Sequence, residues 1–310
     1  VSRTARQKNG INIHHIMSRG ISEIILFKDS NDKEKFLNLL KKYKKAYMIK
    51  IYSYIIMDTH YHLQINDNGA DISKFMKSIN QSYAQYYNKR YNRHGHVFAD
   101  RFKSKPIQSD RYAVVVSLYI HNNPKDISKY RNCINKYKYS SIHAYLNKKS
   151  PKNDLIDTDF ILNHFSLNRY EAAKNYLGLI LNSSNKDIED KIKLLKKEYT
   201  YVKDNHILVR NFKPEKIIDF IKYFTKKTFC INGKYNHKNM ELKSLCVFLL
   251  RCLCNFKLND ISNIIGNISN SNTLKLYENG LFLASSKKYK NIINNFISYS
   301  KSSQLQITNT

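Results

Sequence analysis

Hydrophobic positions in the first half of the chain change their period several times, and each change predicts an element. Ile11 to Met17 alternates loosely and reads as a strand that ends at Arg19-Gly20. From Asp32 the spacing becomes helical, with Phe36, Leu37, Leu39, Leu40 and Tyr43 on one side. Asp29, Ser30 or Asp32 is placed to cap that helix. Ile49 to Met57 is then a run of β-branched and aromatic residues closed by Thr59 to Ile65, as two strands or one long bent strand. Asp67-Asn68-Gly69 is a turn signal. A second helix is predicted from about Ile72 to Arg90, carrying Phe75, Met76, Ile79, Tyr83, Tyr86 and Tyr87. Asn92 to Gly95 breaks it, and Val97 to Ile107 reads as a basic strand or ribbon. Ser109 or Asp110 caps a third helix with Tyr112, Val115, Val116 and Tyr119 on its apolar stripe. It stops at Asn123-Pro124, because the residue before proline is disfavoured in the helical region. Tyr137 to Leu146 reads as a short closing helix.

Strands and helices in this order predict an α+β domain with helices on an antiparallel sheet, over residues 1–150. The polar stretch Asn147 to Asp154 marks its loosest boundary. Residues 151–310 read as almost wholly helical, with a basic solvated helix over Ile188 to Lys197 and another starting at Pro214. Leu242 to Leu253 is a compact apolar helix. Leu258 to Gly266 and Ser269 to Tyr277 follow it, a spacing that fits a helix-turn-helix near 243–285 as well as a plain helical hairpin.

Charge changes the picture more than composition does. Lys and Arg number 53 against 24 Asp and Glu, a formal net charge of +29. A fold does not need that excess, which raises self-repulsion, so a polyanion is the expected partner and nucleic acid the first candidate. Residues 1–10, with Arg3, Arg6 and Lys8, read as a basic arm. Five cysteines without a CxxC pair suggest reduced thiols and a cytoplasmic, nucleoid-associated protein. No apolar run reaches the roughly 18 residues of a membrane span, and no secretory signal is recognisable.

Two pieces of chemistry stand out. On a strand, His60, His62 and Gln64 share one face while Tyr61, Leu63 and Ile65 share the other. Two imidazoles about 7 Å apart can converge on one ion. On the third helix, Tyr119 and Asn123 are four residues apart and lie one turn above each other. A tyrosine hydroxyl can attack a phosphodiester when a cation neutralises the phosphate, and an amide oxygen can share in holding that cation. Core packing of Tyr119 and a structural role for the histidine pair remain open on spacing alone.

The order of motifs in residues 1–150 resembles the single-tyrosine HUH transposases, most closely their REP-associated branch. His15-Ile16-Met17-Ser18-Arg19-Gly20 matches that family's early segment, and Met57 to Leu63 matches its His-hydrophobic-His strand. Gly95 to Ser104 and Tyr119-Ile120-His121-Asn122-Asn123-Pro124 match its later motifs, and Tyr139-Ser140-Ser141 a common ending. Thr59 stands where the family usually has Asn, and Tyr61 is bulkier than its usual aliphatic residue. The resemblance implies a ferredoxin/RRM-like sheet with helices on one face, Tyr119 as nucleophile, and His60, His62 and Asn123 as ligands of a divalent metal, Mg²⁺ or Mn²⁺. It further implies cleavage and rejoining of single-stranded DNA near hairpins through a 5′-phosphotyrosine, and leaves monomer and homodimer both open. Arg19, Arg90, Arg93, Arg101, Lys103 and Lys105 are expected to hold DNA phosphates, with Tyr91, Phe98 and Phe102 available for stacking. Residues 240–285 only vaguely resemble the DNA-binding domain of replication initiators. A replication-initiator-like nicking enzyme and a catalytically silent DNA-binding regulator are the competing readings.

Overall fold

The computed structural model describes residues 12–22, 24–146, 153–184, 186–188, 190, 210, 212–227, 231, 239–266 and 268–305. The expected basic arm, Cys230, and most of the helix expected over 188–197 lie outside them. The chain divides into two compact units, Val1–Ile207 and Leu208–Thr310.

The first unit is built on β1 (Ile13–Arg19), β2 (Lys50–Ile56), β3 (His60–Asn66) and the short β4 (Lys103–Pro106). All pairings are antiparallel, in the order β2-β3-β1-β4. The run from Ile49 to Ile65 is thus a hairpin of two strands, with Met57 to Thr59 at the turn. β3 sits between two partners, which pins its register and therefore which side chains face which way. Most of the expected basic ribbon over 97–107 is irregular; before β4 it contributes one bridge, Phe98 to Gly20.

α1 (Ser30–Tyr47) and α2 (Ile72–Arg90) cover the face bearing Tyr61, Leu63 and Ile65. Asp29 and Asp71 cap them by accepting hydrogen bonds from backbone N–H groups of the first turn. Phe36 of α1 packs on Tyr61 at 4.6 Å between ring centroids and on Tyr83 of α2 at 5.5 Å. The Tyr61 hydroxyl donates to Asn80 Oδ1 at 2.8 Å, so the bulkier middle residue of the strand motif is absorbed into the core with its polar end satisfied.

Helices do not all lie on one face as expected. α3 (Asp110–Asn122), capped by Ser109, covers the opposite face, where Gln64 Nε2 donates to the Ala113 carbonyl at 2.9 Å. A four-stranded sheet buried on both sides needs a second apolar layer, and α3, with Tyr112, Ala113, Val116 and Ile120 all buried, supplies it. Then come α4 (Ile142–Leu146), shorter than the helix expected from Tyr137, α5 (Asp159–Leu162) and α6 (Arg169–Asn182).

The first unit also runs past the expected boundary at 150. Phe160 stacks on Tyr52 at 4.6 Å, and Tyr176 of α6 is fully buried beside α3. Its hydroxyl lies 2.6 Å from both Ser117 Oγ and His121 Nδ1. These long-range contacts are invisible to a reading of local composition.

The second unit comprises α7 (Pro214–Thr225), α8 (Met240–Leu253), α9 (Leu258–Ile264), α10 (Asn270–Ser285) and α11 (Ile292–Leu305). α8 is its buried axis: Leu242, Leu245, Phe248, Leu249 and Cys252 are all enclosed. α10 crosses α8 so closely that a β-carbon on Gly280 would overlap the Ser244 carbonyl. Between α9 and α10, Gly266 takes φ of 101°, a conformation that suits only glycine, and Ser269 caps α10 through Asn272 N–H. Ser262 Oγ donates to the Ile268 carbonyl and fastens the turn. Among its described residues the second unit is therefore all-α.

Candidate active site

The register of the sheet assembles the site. β1 and β3 pair Arg19 with His60, Met17 with His62 and His15 with Gln64, while β1 and β4 pair Met17 with Lys103 and His15 with Lys105. Cross-strand partners share a face, so the two histidines of β3 join His15, Arg19, Lys103 and Lys105 on the side covered by α3. Gln64, fully buried, accepts from Ser53 Oγ through its own Oε1 and donates to α3, which anchors the strand beneath the histidines.

The rings of His60 and His62 are 5.2 Å apart between centroids and nearly perpendicular. α3 brings Tyr119 over them: its ring lies 5.7 Å from that of His62 and 5.9 Å from that of His15, edge-on to both. Residues separated by 57 positions between His62 and Tyr119 thus meet across the sheet–helix interface. Asn123 closes α3, and its Nδ2 donates to the Tyr119 carbonyl at 2.7 Å. That bond commits the amide nitrogen and leaves Oδ1 as the atom with which Asn123 can meet a cation.

Both histidines have the electronic character of ligands. Burial lowers the pKa of His60, opposed by the nearby Asp126 carboxylate. Burial pushes His62 well below the usual imidazole range, helped by His15, His60 and Lys105. Each is neutral at pH 7 and has a lone pair to give. The Nδ1 atoms are already engaged, His60 with Thr59 Oγ1 at 3.0 Å and His62 with His15 Nε2 at 3.0 Å. Among the described residues no three His, Cys, Asp or Glu side chains converge as a ligand set. The donors present still suit a hard-to-borderline divalent ion: two imidazoles, the Asn123 amide, and positions left for solvent and phosphate oxygens.

A cleft of about 690 Å³ opens beside the histidines, lined by Arg19, Thr59, His60, His62, Arg101 and Lys103 among others. Three of the six basic residues singled out from sequence therefore stand at the site, and Lys105 lies close enough to act on His15 and His62. Two do not belong to it. Arg90 is bound to Asp29 at 2.5 Å and to the buried Asp32 at 2.6 Å, locking the end of α2 to the start of α1. Arg93 lies beside Tyr87 of α2, whose hydroxyl its positive charge acts on. Tyr91 donates to Asp32, Phe98 packs against Tyr61 and Tyr83, and Phe102 is buried, so these aromatics build the fold.

His121, inside the same motif as Tyr119 and Asn123, has a structural place. It is fully buried, between the Tyr176 hydroxyl and Ser141 Oγ, each at 2.6 Å, and burial holds its pKa at about 3. Two residues on from Tyr119, it points to the other side of α3. His15 on the first strand is open from sequence as either a neighbour of the site or a structural residue, whereas the parts played by Gln64 and Asp126 emerge only from strand register and the fold of the chain after α3.

A four-stranded antiparallel sheet carrying a paired-histidine strand beneath a tyrosine helix, with a basic cleft alongside, defines a domain suited to phosphodiester chemistry. Residues 8–123 match the family model described as transposase, IS200-like. No curated protein matches the chain. Among solved structures, that of a REP-associated tyrosine transposase bound to a REP hairpin is similar, at 13% identity and a TM-score of 0.40. The similarity covers 46% of this chain and 84% of that one.

Proposed function

We propose that the first unit is a metal-dependent single-stranded DNA strand transferase acting at hairpin-associated sites, with Tyr119 as its nucleophile. The observation that carries this reading is the convergence of Tyr119 on His62 across the interface of α3 and the sheet. In the reaction Tyr119 Oη attacks a backbone phosphorus and loses its proton as the bond forms. The bond from phosphorus to the 3′-oxygen breaks, leaving a 5′-phosphotyrosine and a free 3′-hydroxyl. Attack by a 3′-hydroxyl on the phosphotyrosine reverses the chemistry and joins the strands, with the bond energy conserved. His60, His62 and Asn123 would hold a divalent cation, Mn²⁺ suiting mixed His and amide donors better than Mg²⁺, and that ion would supply positive charge to the phosphate oxygen. Arg19, Arg101, Lys103 and Lys105 hold the flanking backbone. The second unit is proposed to bind duplex DNA through α9 and α10 as a helix-turn-helix.

The deciding experiment is incubation with single-stranded hairpin oligonucleotides and Mn²⁺, followed by denaturing electrophoresis for a covalent protein–DNA adduct. The wild type is expected to form it and Tyr119→Phe to form none. An adduct persisting in Tyr119→Phe overturns the assignment of the nucleophile. No adduct from the wild type, across hairpins of varied stem and flank, overturns the enzymatic reading.

A further inference from the structure

His15 has no role in the reaction as written, yet it is buried at 5% exposure in the middle of the site. Its Nε2 lies 3.0 Å from His62 Nδ1, and the two rings are 5.2 Å apart with an interplanar angle of 29°. That separation and near-coplanarity describe rings joined edge to edge by a hydrogen bond, with little face-to-face overlap. A neutral imidazole carries one N–H, so the pair has two arrangements. If His15 Nε2 donates, His62 holds its own proton on Nε2 and has no lone pair there. If His62 Nδ1 donates, Nε2 of His62 presents a lone pair and His15 carries its proton on Nδ1. The hydrogen bond is therefore a selector of tautomer. Thr59 Oγ1 stands in the same relation to Nδ1 of His60, and a hydroxyl oxygen accepts an N–H readily.

We infer that His15 is a positioning residue that accepts the Nδ1 proton of His62 and so keeps Nε2 of His62 turned out as a cation ligand. The inference rests on the proposed role of His62 in holding a divalent ion. Ligating imidazoles gain orientation and basicity when the other ring nitrogen donates to a fixed acceptor. A histidine in that place differs from the carboxylates or carbonyls that often fill it, because it adds no negative charge. Strand pairing sets Lys105 opposite His15 on β4, and the T-shaped contact with Tyr119 fixes the His15 ring from the other side.

The test is direct titration of the full chain with Mn²⁺ alone, read by the electron paramagnetic resonance signal of the free ion. His15→Phe keeps a flat ring but removes the acceptor, and is expected to weaken Mn²⁺ binding by about 10- to 100-fold. His15→Gln returns an acceptor oxygen and is expected to recover part of that loss. His62→Ala sets the scale by removing the ligand itself. Affinity unchanged in His15→Phe but lost in His62→Ala overturns the positioning role while the cation site stands. Affinity unchanged in His62→Ala removes the site and the inference with it. Should His15→Phe fail to fold, ¹⁵N chemical shifts of His62 in the metal-free wild type decide: a proton on Nδ1 supports the inference, and a proton on Nε2 overturns it.

Discussion

At the scale of single residues, the same side-chain chemistry serves opposite ends depending on its neighbours. Arg101 lines the cleft beside His60, whereas Arg90 is consumed by two carboxylates far from that chemistry. Arg101→Ala is expected to weaken hairpin binding across sequences and to reduce the slope of log affinity against log salt by about 1. Arg90→Ala should leave that slope unchanged and lower the thermal midpoint, because Asp32 is left buried without its cation. Titrations against labelled hairpin at several salt concentrations, with thermal melts alongside, separate the two. Histidines divide in the same way. His15 and His121 are both held at a pKa of about 3, His15 by burial and Lys105, His121 by burial and His143. Above about pH 6.5 neither the folded nor the unfolded state protonates them, so they place no pH dependence on stability there. Below it the unfolded chain takes up protons that the folded chain refuses, so stability falls as pH drops toward 3, by up to about 1.4 kcal/mol per pH unit for each group. Urea melts at pH 7.0 and 5.0 measure this loss, and His121→Gln is expected to reduce it.

At the scale of elements, α3 is held from both sides. Its site face rests on β3 through Gln64, and its back carries Ser117 and His121, both bonded to the Tyr176 hydroxyl of α6. Tyr176→Phe removes that hydroxyl from a fully enclosed network and leaves its partners unsatisfied, at a cost of about 1–3 kcal/mol. The substitution lies behind the helix, so the expected outcome is a lower denaturation midpoint with adduct formation retained below it. In the second unit, Gly280→Ala pushes α10 off α8 where backbone meets side chain, and about 3 kcal/mol or more of destabilisation is expected by denaturant melting of residues 208–310 in the intact chain. Helices were the most legible elements in the sequence. Asp71 to Arg90 and Ser109 to Asn122 announce themselves by a capping side chain and a regular apolar stripe. The stretch over 97–107 was legible only in part: Lys103 and Lys105 do alternate on β4, where β1 is there to pair them, whereas the residues before Lys103 contribute one bridge.

At the scale of the molecule, the two units make different demands on the chain. The formal charge of +29 is spread over both halves of the sequence, and strong salt dependence of any DNA binding is expected. The first compact unit includes α5 and α6, so a chain ending at 150 loses Tyr176 and the brace behind α3. Truncation at 207 is expected to retain cleavage of hairpin oligonucleotides, while truncation at 150 loses it together with cooperative unfolding. Circular dichroism melts and the adduct assay on both truncations check this. Loss of adduct at 207 would assign the second unit a part in cleavage itself. Among the described residues no helix is long and apolar enough to cross a membrane, and Cys133, Cys246, Cys252 and Cys254 are not joined in disulfides.

Local pattern determined a good deal of this protein by itself. Strand alternation put His60 and His62 on one face, helical spacing put Tyr119 and Asn123 one turn apart, and cap residues marked where the helices begin. These are properties of residues within about four positions of one another, and backbone geometry makes them nearly independent of the rest of the chain. Tertiary structure alone decided that α3 covers the histidine face, that His15 reaches His62, that Arg90 is spent on Asp32, and that α6 belongs to the first unit. Each of those depends on contacts between residues far apart in sequence, where register and packing choose among partners that spacing leaves equal.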